Sequence, residues 1–222
     1  MSGPLRIACL HSAAMNEPVF RAEAARLPDG CVVTHDTGAV PHLIAAEAAG
    51  GLTDEIAGAT AVLLERLAAT SDVVLLTCST LGPAAAIAAE RTGKPVLRVD
   101  AALARAAVAA GRRILVLYAV ETTLAPTRAL FEQAAAGRDV EIDYRLVEGA
   151  WGRMRAGDVA GYHGTIAEAA DRAQSGMSGP AYDVVALAQA SMSGAAALTC
   201  IARPLTSPAA GLAAAVTCAG NR

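Results

Sequence analysis

Asp72 to Ala86 reads DVVLLTCSTLGPAAA, an apolar run that ends in Thr77, Cys78, Ser79 and Thr80 and passes through Gly82-Pro83 into alanines. A second run, DVVALAQASMSGAAA from Asp183 to Ala197, repeats it in weaker form. With Asp72 set against Asp183, the Val-Val pairs, the leucines that follow and the triple alanines coincide, and Cys78 falls opposite Gln189. Val73 to Leu76 has no polar interruption, the pattern of a strand covered on both faces of a parallel sheet. Cys78 therefore belongs at a strand's C-terminal end. The next helix should begin near Leu81 to Pro83, where proline is tolerated in a first turn.

The repetition extends beyond these two runs. Arg113 to Tyr118 overlays on Arg6 to His11, which sets Tyr118 opposite His11 and Thr123 opposite Asn16. Strands are predicted at Leu5–Leu10, Cys31–Thr34, Val73–Thr77 and Pro95–Val99, and again at 113–118, 140–146, 184–188 and 204–205. Gly38 to Gly51 reads as a loop with a short helix, and Val147 to Gly157 as a variable connection around Trp151. Strands alternating with helices at this spacing mean parallel β/α units with right-handed crossovers. The expected fold is α/β, with two pseudo-symmetric domains, each a short parallel sheet flanked by helices. Residues 1–100 with 207–222 would form the first domain and 101–206 the second, with the active site in the cleft between them.

Composition narrows the function classes. Of 222 residues, 54% are hydrophobic, but alanine inflates that figure and points to close helix packing. Arg, Gly or Pro interrupts every apolar segment before the roughly 18 residues a membrane span needs, and MSGPLRIACLHS runs straight into a strand, so a soluble chain without a signal peptide is expected. A net charge of −3 with 3% aromatic residues argues against a nucleic-acid partner. The cysteines, Cys9, Cys31, Cys78, Cys200 and Cys218, form no CxxC pair. Their spacing to His11, His35, His42 and His163 suggests no metal cluster, and a reducing cytoplasm is the natural compartment.

In open parallel sheets, ligands bind beyond the carboxyl ends of the strands. Cys78, Ser79, Thr80, His11, Ser12, Gln189 and Ser191 all belong there. A cysteine ahead of a helix N-terminus has its thiolate favoured by the dipole, and hydroxyls beside backbone N–H groups suit a carboxylate. Thr80 and Ser191 are also ordinary N-cap types, and Gln189 equally suits binding substrate or tying two loops together.

DVVLLTCST, its echo DVVALAQASM, the Arg-Ile-x-x-Leu start of both halves and the pair Thr122-Thr123 together resemble the aspartate/glutamate/hydantoin racemase superfamily, over nearly the whole chain. The resemblance implies a cofactor-independent, two-domain pseudo-symmetric enzyme with one cysteine from each half acting on opposite faces of the substrate. Amino-acid and hydantoin racemases, maleate isomerases and arylmalonate decarboxylases all belong to that superfamily. By position, Cys78 matches the first-half cysteine, and Ser79, Thr80, Thr122 and Thr123 match positions that hold a carboxylate.

Gln189 departs from the pattern, because an amide neither removes nor returns a proton at neutral pH. Cys78 is then expected to act from one face, as acid/base or as nucleophile, unless His11 or Tyr118 supplies the second acid. The binding set is Ser12, Asn16, Ser79, Thr80, Thr122, Thr123, Gln189 and Ser191. The expectation is an isomerase acting on a small carboxylate (amino acid, hydantoin or dicarboxylate), with no cofactor, metal, nucleic acid or membrane. A malonate-type decarboxylase and a non-catalytic carboxylate binder are the alternatives, and a homo-oligomer stays open.

Overall fold

The computed structural model describes residues 3–176 and 180–220. The chain divides into two compact units, Met1–Val99 with Gly211–Arg222, and Asp100–Ala210.

In the first unit the order is β1 (Leu5–Leu10), α1 (Asn16–Ala24), β2 (Cys31–Asp36), α2 (Val40–Ala48), α3 (Asp54–Thr70), β3 (Val73–Leu76), α4 (Ala84–Thr92) and β4 (Val96–Arg98). All strand pairs are parallel, in the order β2-β1-β3-β4. α5 (Val99–Ala110) leads into the second unit, which holds β5 (Arg113–Tyr118), α6 (Leu124–Ala135), β6 (Glu141–Leu146), α7 (Ala150–Arg155), α8 (Val159–Gln174), β7 (Val184–Leu187) and β8 (Leu205–Thr206). Its sheet is parallel in the order β6-β5-β7-β8, and α9 (Ser207–Gly220) closes the chain.

The core follows from the strand patterns. Every residue of β3 and of β7 is buried, as helices on both faces of a parallel sheet require. In the first unit, Leu10, Val74 and Leu76 pack with Ala61, Leu64 and Ala68 of α3 and with Ala84, Ala85 and Ala88 of α4. In the second, Leu115, Leu117, Val185 and Leu187 face Tyr162, Ile166 and Ala170 of α8. The opposite face sets Ile114, Val116 and Ala186 against Leu103 of α5 and Phe131 of α6. Alanine in the helices lets them lie close to the sheet, so small residues are as much a part of the packing as the branched strand residues.

The internal repeat holds at the level of single hydrogen bonds. Asp72 N–H donates to Arg6 O at 2.8 Å, and Asp183 N–H to Arg113 O at 2.9 Å. Thr77 N–H donates to Leu10 O at 3.1 Å, and Ala188 N–H to Leu117 O at 3.0 Å. Cys78 and Gln189 are thus the same position in two copies of one sheet. The aspartate that opens each run is also explained: Asp72 accepts from Arg6 N–H, and Asp183 from Arg112 and Arg113 N–H.

Four local expectations change. β2 runs on to Asp36, because its register with β1 is kept through Leu10–Asp36. Val40–Ala48 is a full helix, with Pro41 tolerated in its first turn. The connection around Trp151 contains α7. Ala190–Ala197 winds as 3₁₀ rather than α, anchored where His163 Nε2–H donates to Ser191 O at 2.9 Å. A side chain at Gly194 would collide with the His163 ring, so the tight winding needs glycine there.

Candidate active site

β3 delivers Thr77 and Cys78 to its C-terminal end, and both are buried, Cys78 at 7% exposure. Cys78 packs with Leu10, Val74, Leu76 and Leu81 on the helix-covered face. Beyond it the chain turns tightly: Gly82 N–H donates to Ser79 O, Ala84 N–H to Leu81 O and Ala85 N–H to Gly82 O, at 3.0–3.1 Å. α4 therefore starts only at Ala84, with Pro83 as its N-cap residue, later than the sequence suggests. The helix field fades within a turn, so it reaches Cys78 weakly. The nearer donors are backbone groups: among the described residues, no protein acceptor takes the N–H of Ser79, Thr80 or Leu81. Consecutive N–H groups in a turn are the backbone type from which anion-binding nests are made, and here they stand beside the half-buried Ser79 and the exposed Thr80.

Arg98 borders this loop and was not among the expected site residues. It ends β4, its Nη2 donates to Ser79 O at 3.4 Å, and its guanidinium lies so close over Gly82 that a side chain there would overlap it. The signal was available in Lys94-Pro95-Val96-Leu97-Arg98: a cation at a strand's carboxyl end, in the same sheet as Cys78.

His11 follows β1 and is fully buried, with both ring nitrogens engaged. Nδ1 lies 3.0 Å from Thr77 Oγ1, and Nε2 lies 3.0 Å from Nδ1 of His35. Thr77 Oγ1 donates its one proton to Leu10 O, so it accepts from His11 Nδ1–H; His11 Nε2 is then the acceptor and His35 Nδ1–H the donor. Burial, with the His35 ring beside it, lowers the His11 pKa to about 4, and burial also lowers that of His35. Both rings are therefore neutral at pH 7. Successive side chains alternate across a sheet, so Thr77 carries His11 on one face while Cys78 turns to the other. His11 thus touches the residue before Cys78. Ser12 is buried beside it, and Asn16 opens α1 half-buried.

Cys9, His11 and His35 each bring one ligand-type atom to within 4.8 Å of the others. Linear spacing gave no hint of this cluster. It arises because the β1–β2 register places Cys9 directly opposite His35, which lies in β2 beyond the strand expected at Cys31–Thr34.

In the second unit, Gln189 Oε1 accepts from Ala119 N–H at 2.8 Å, tying the loop after β7 to the loop after β5. Ser191 Oγ lies 3.0 Å from the Tyr162 hydroxyl, so its side chain is paired with α8. Tyr118 ends β5 at 6% exposure, packed with Phe131 and Leu103. Thr122 is exposed, and Thr123 donates to Val120 O at 2.6 Å at the start of α6. Within the first unit the structure thus brings together Cys78, Ser79 and Thr80, with His11 linked through Thr77. Within the second it brings Gln189 to the end of β5, where Tyr118 lies.

No protein-family model matches the chain, and no curated protein matches it. Solved structures do. An aspartate racemase homologue from Pyrococcus horikoshii has a TM-score of 0.68 at 11% identity, covering 97% of this chain and 99% of that one. Allantoin racemase from Klebsiella pneumoniae has a TM-score of 0.69 at 15% identity, with 98% and 88% covered. Glutamate racemase from Thermus thermophilus, in complex with β-chloro-D-alanine, has a TM-score of 0.61 at 18% identity, with 99% and 83% covered. Aspartate, glutamate and allantoin racemases thus share this chain's fold over nearly its full length.

Proposed function

We propose that this chain is a cofactor-independent isomerase of the racemase type, acting on a small carboxylate through Cys78. The observation that carries the reading is the position of Cys78: a thiol at the carboxyl end of the central buried strand, in a racemase fold, directly before unpartnered backbone donors. Those donors at Ser79 to Leu81 would take the substrate carboxylate, with the Ser79 and Thr80 hydroxyls beside them and Arg98 adding positive charge at the rim. The Cys78 thiolate would then remove the proton from the neighbouring carbon, and the carboxylate would share the resulting charge. His11 serves this step by position: its hydrogen bond to Thr77 fixes the residue that precedes the nucleophile.

Gln189 occupies the place of a second base, and its carbonyl oxygen is committed to Ala119 N–H. Its amide hydrogens remain able to bind a ligand, but not to transfer a proton. Cys78 would therefore return to the same face the proton it removed. Exchange with solvent should outrun inversion. The compartment we assign is the cytoplasm, in keeping with five cysteines of which none forms a disulfide. Nothing in the fold favours the decarboxylase alternative.

Incubation in deuterated water with a panel of amino acids, hydantoins and dicarboxylates, followed by NMR, tests this. The expected result is deuterium entry at the acidic carbon, lost in Cys78→Ala, with little change in optical rotation. Exchange unaffected by Cys78→Ala would remove the proposed role of the thiol. Inversion as fast as exchange would overturn one-sidedness.

A further inference from the structure

We propose that Cys9, His11 and His35 form a binding site for a divalent transition-metal ion of zinc type, on the face of the first sheet opposite Cys78. The ligand set is Cys9 Sγ, His11 Nε2 and His35 Nδ1. Each requirement of such a site has a counterpart here. Thiolate with imidazole suits zinc and its borderline neighbours. The two imidazole nitrogens already face each other at 3.0 Å, and all three ligand atoms lie within 4.8 Å of one another. On one tetrahedral ion, neighbouring ligand atoms sit about 3.4–3.7 Å apart, so side-chain shifts of about 1 Å complete the geometry.

The outer groups also fit. A metal-bound histidine usually donates its other ring N–H to a fixed acceptor, and His11 Nδ1–H is held by Thr77 Oγ1. Cys9 and His11 are fully buried, whereas His35 is half-exposed, which leaves an entry path and a fourth position on that side. Burial alone pushes the Cys9 thiol up to about 12, so it ionises only if a cation comes to it. On binding, the Cys9 thiol proton leaves to solvent and the His35 proton moves from Nδ1 to Nε2. One proton is released, with no change in oxidation state. The ion takes no part in proton transfer at Cys78; it clamps β1 to β2 and, through Thr77, stiffens the strand end.

The test uses the full chain, stripped with a chelator and titrated with Zn(II) by calorimetry and with Co(II) by absorption. One ion per chain is expected, with intense visible bands from a tetrahedral cobalt site and a near-ultraviolet sulfur-to-cobalt band. His35→Gln should abolish both, and Cys9→Ser should remove the sulfur band. Thr77→Val should weaken affinity by about 10–100-fold, and Cys78→Ala should leave metal binding unchanged. His35 is half-exposed, so its variant decides the matter even where Cys9→Ser folds poorly. Absence of binding at micromolar Zn(II) would overturn the site. So would a signal that survives His35→Gln, or one that disappears with Cys78→Ala.

Discussion

Cys78 and Gln189 are one position seen twice, and under the proposed function the difference between them decides whether one face or two can exchange a proton. Gln189→Cys places a thiol where a second base would act, and it is expected to raise the ratio of inversion to deuterium exchange; chiral chromatography beside NMR measures that ratio. Gln189→Ala leaves Ala119 N–H without its acceptor, and should lower stability by about 1–2 kcal/mol in denaturant unfolding. This pair was legible in the sequence because the repeat aligned it without gaps. The Cys9–His11–His35 cluster was not, and Arg98 was legible only as a cation at a strand's carboxyl end. Cross-strand neighbours depend on register, and neither the Cys9–His35 pairing nor the approach of Arg98 to Gly82 leaves a mark on linear spacing.

The inner strands follow directly from uninterrupted apolar runs and the edge strands β2 and β6 alternate, whereas the strand order and the segments after β3 and β7 depend on contacts distant in sequence. Both copies read as polar residues running into alanines, yet one makes successive turns before α4 and the other winds as 3₁₀. The deciding contacts are distant in sequence: Arg98 over Gly82 in the first, the His163 ring against Gly194 in the second. Gly82→Ala must push the guanidinium off the loop, and because that group ends a flexible side chain the cost should be only about 0.5–1 kcal/mol. The double variant with Arg98→Ala should recover much of that loss. A double-mutant cycle by denaturant unfolding measures the coupling, and a coupling near zero would show that the close approach does not limit the loop.

At the scale of the whole chain, the repeat gives each unit the same four-strand parallel order, and the fold class was readable from the repeat alone. Lowered carboxyls occur in both units: in the first, the Arg21 guanidinium hydrogen-bonded to Glu17 holds its carboxyl below the usual range. In Asp100–Ala210, the Gly161 N–H and Arg153 hold Asp158 below the usual range, and the Arg113 and Arg112 N–H groups do the same for Asp183. Burial pushes Asp171 up, but the N–H groups of Cys200, Ala202 and Ile201 outweigh it, and its pKa is lowered too. A carboxyl lowered in the folded state adds stability above its unfolded pKa near 3.9, and loses it as pH falls through the folded value. The melting temperature should therefore fall below about pH 4. Asp171→Asn should flatten that slope and cost about 1 kcal/mol at pH 7 after solvent screening, as thermal melts across pH would show.

The second unit is one unbroken segment, whereas the first takes residues from both sides of it. Leu212 and Ala215 of α9 are fully buried, yet a ribosome makes them more than a hundred residues after the strands of their unit. With the intervening segment still unfolded, bringing those ends together costs on the order of 4 kcal/mol in loop entropy. Once Asp100–Ala210 has folded, its ends are already fixed and much of that cost is gone. The half that carries Cys78 is begun first in synthesis and completed only when α9 emerges, after the whole of the segment that carries Gln189 has been made.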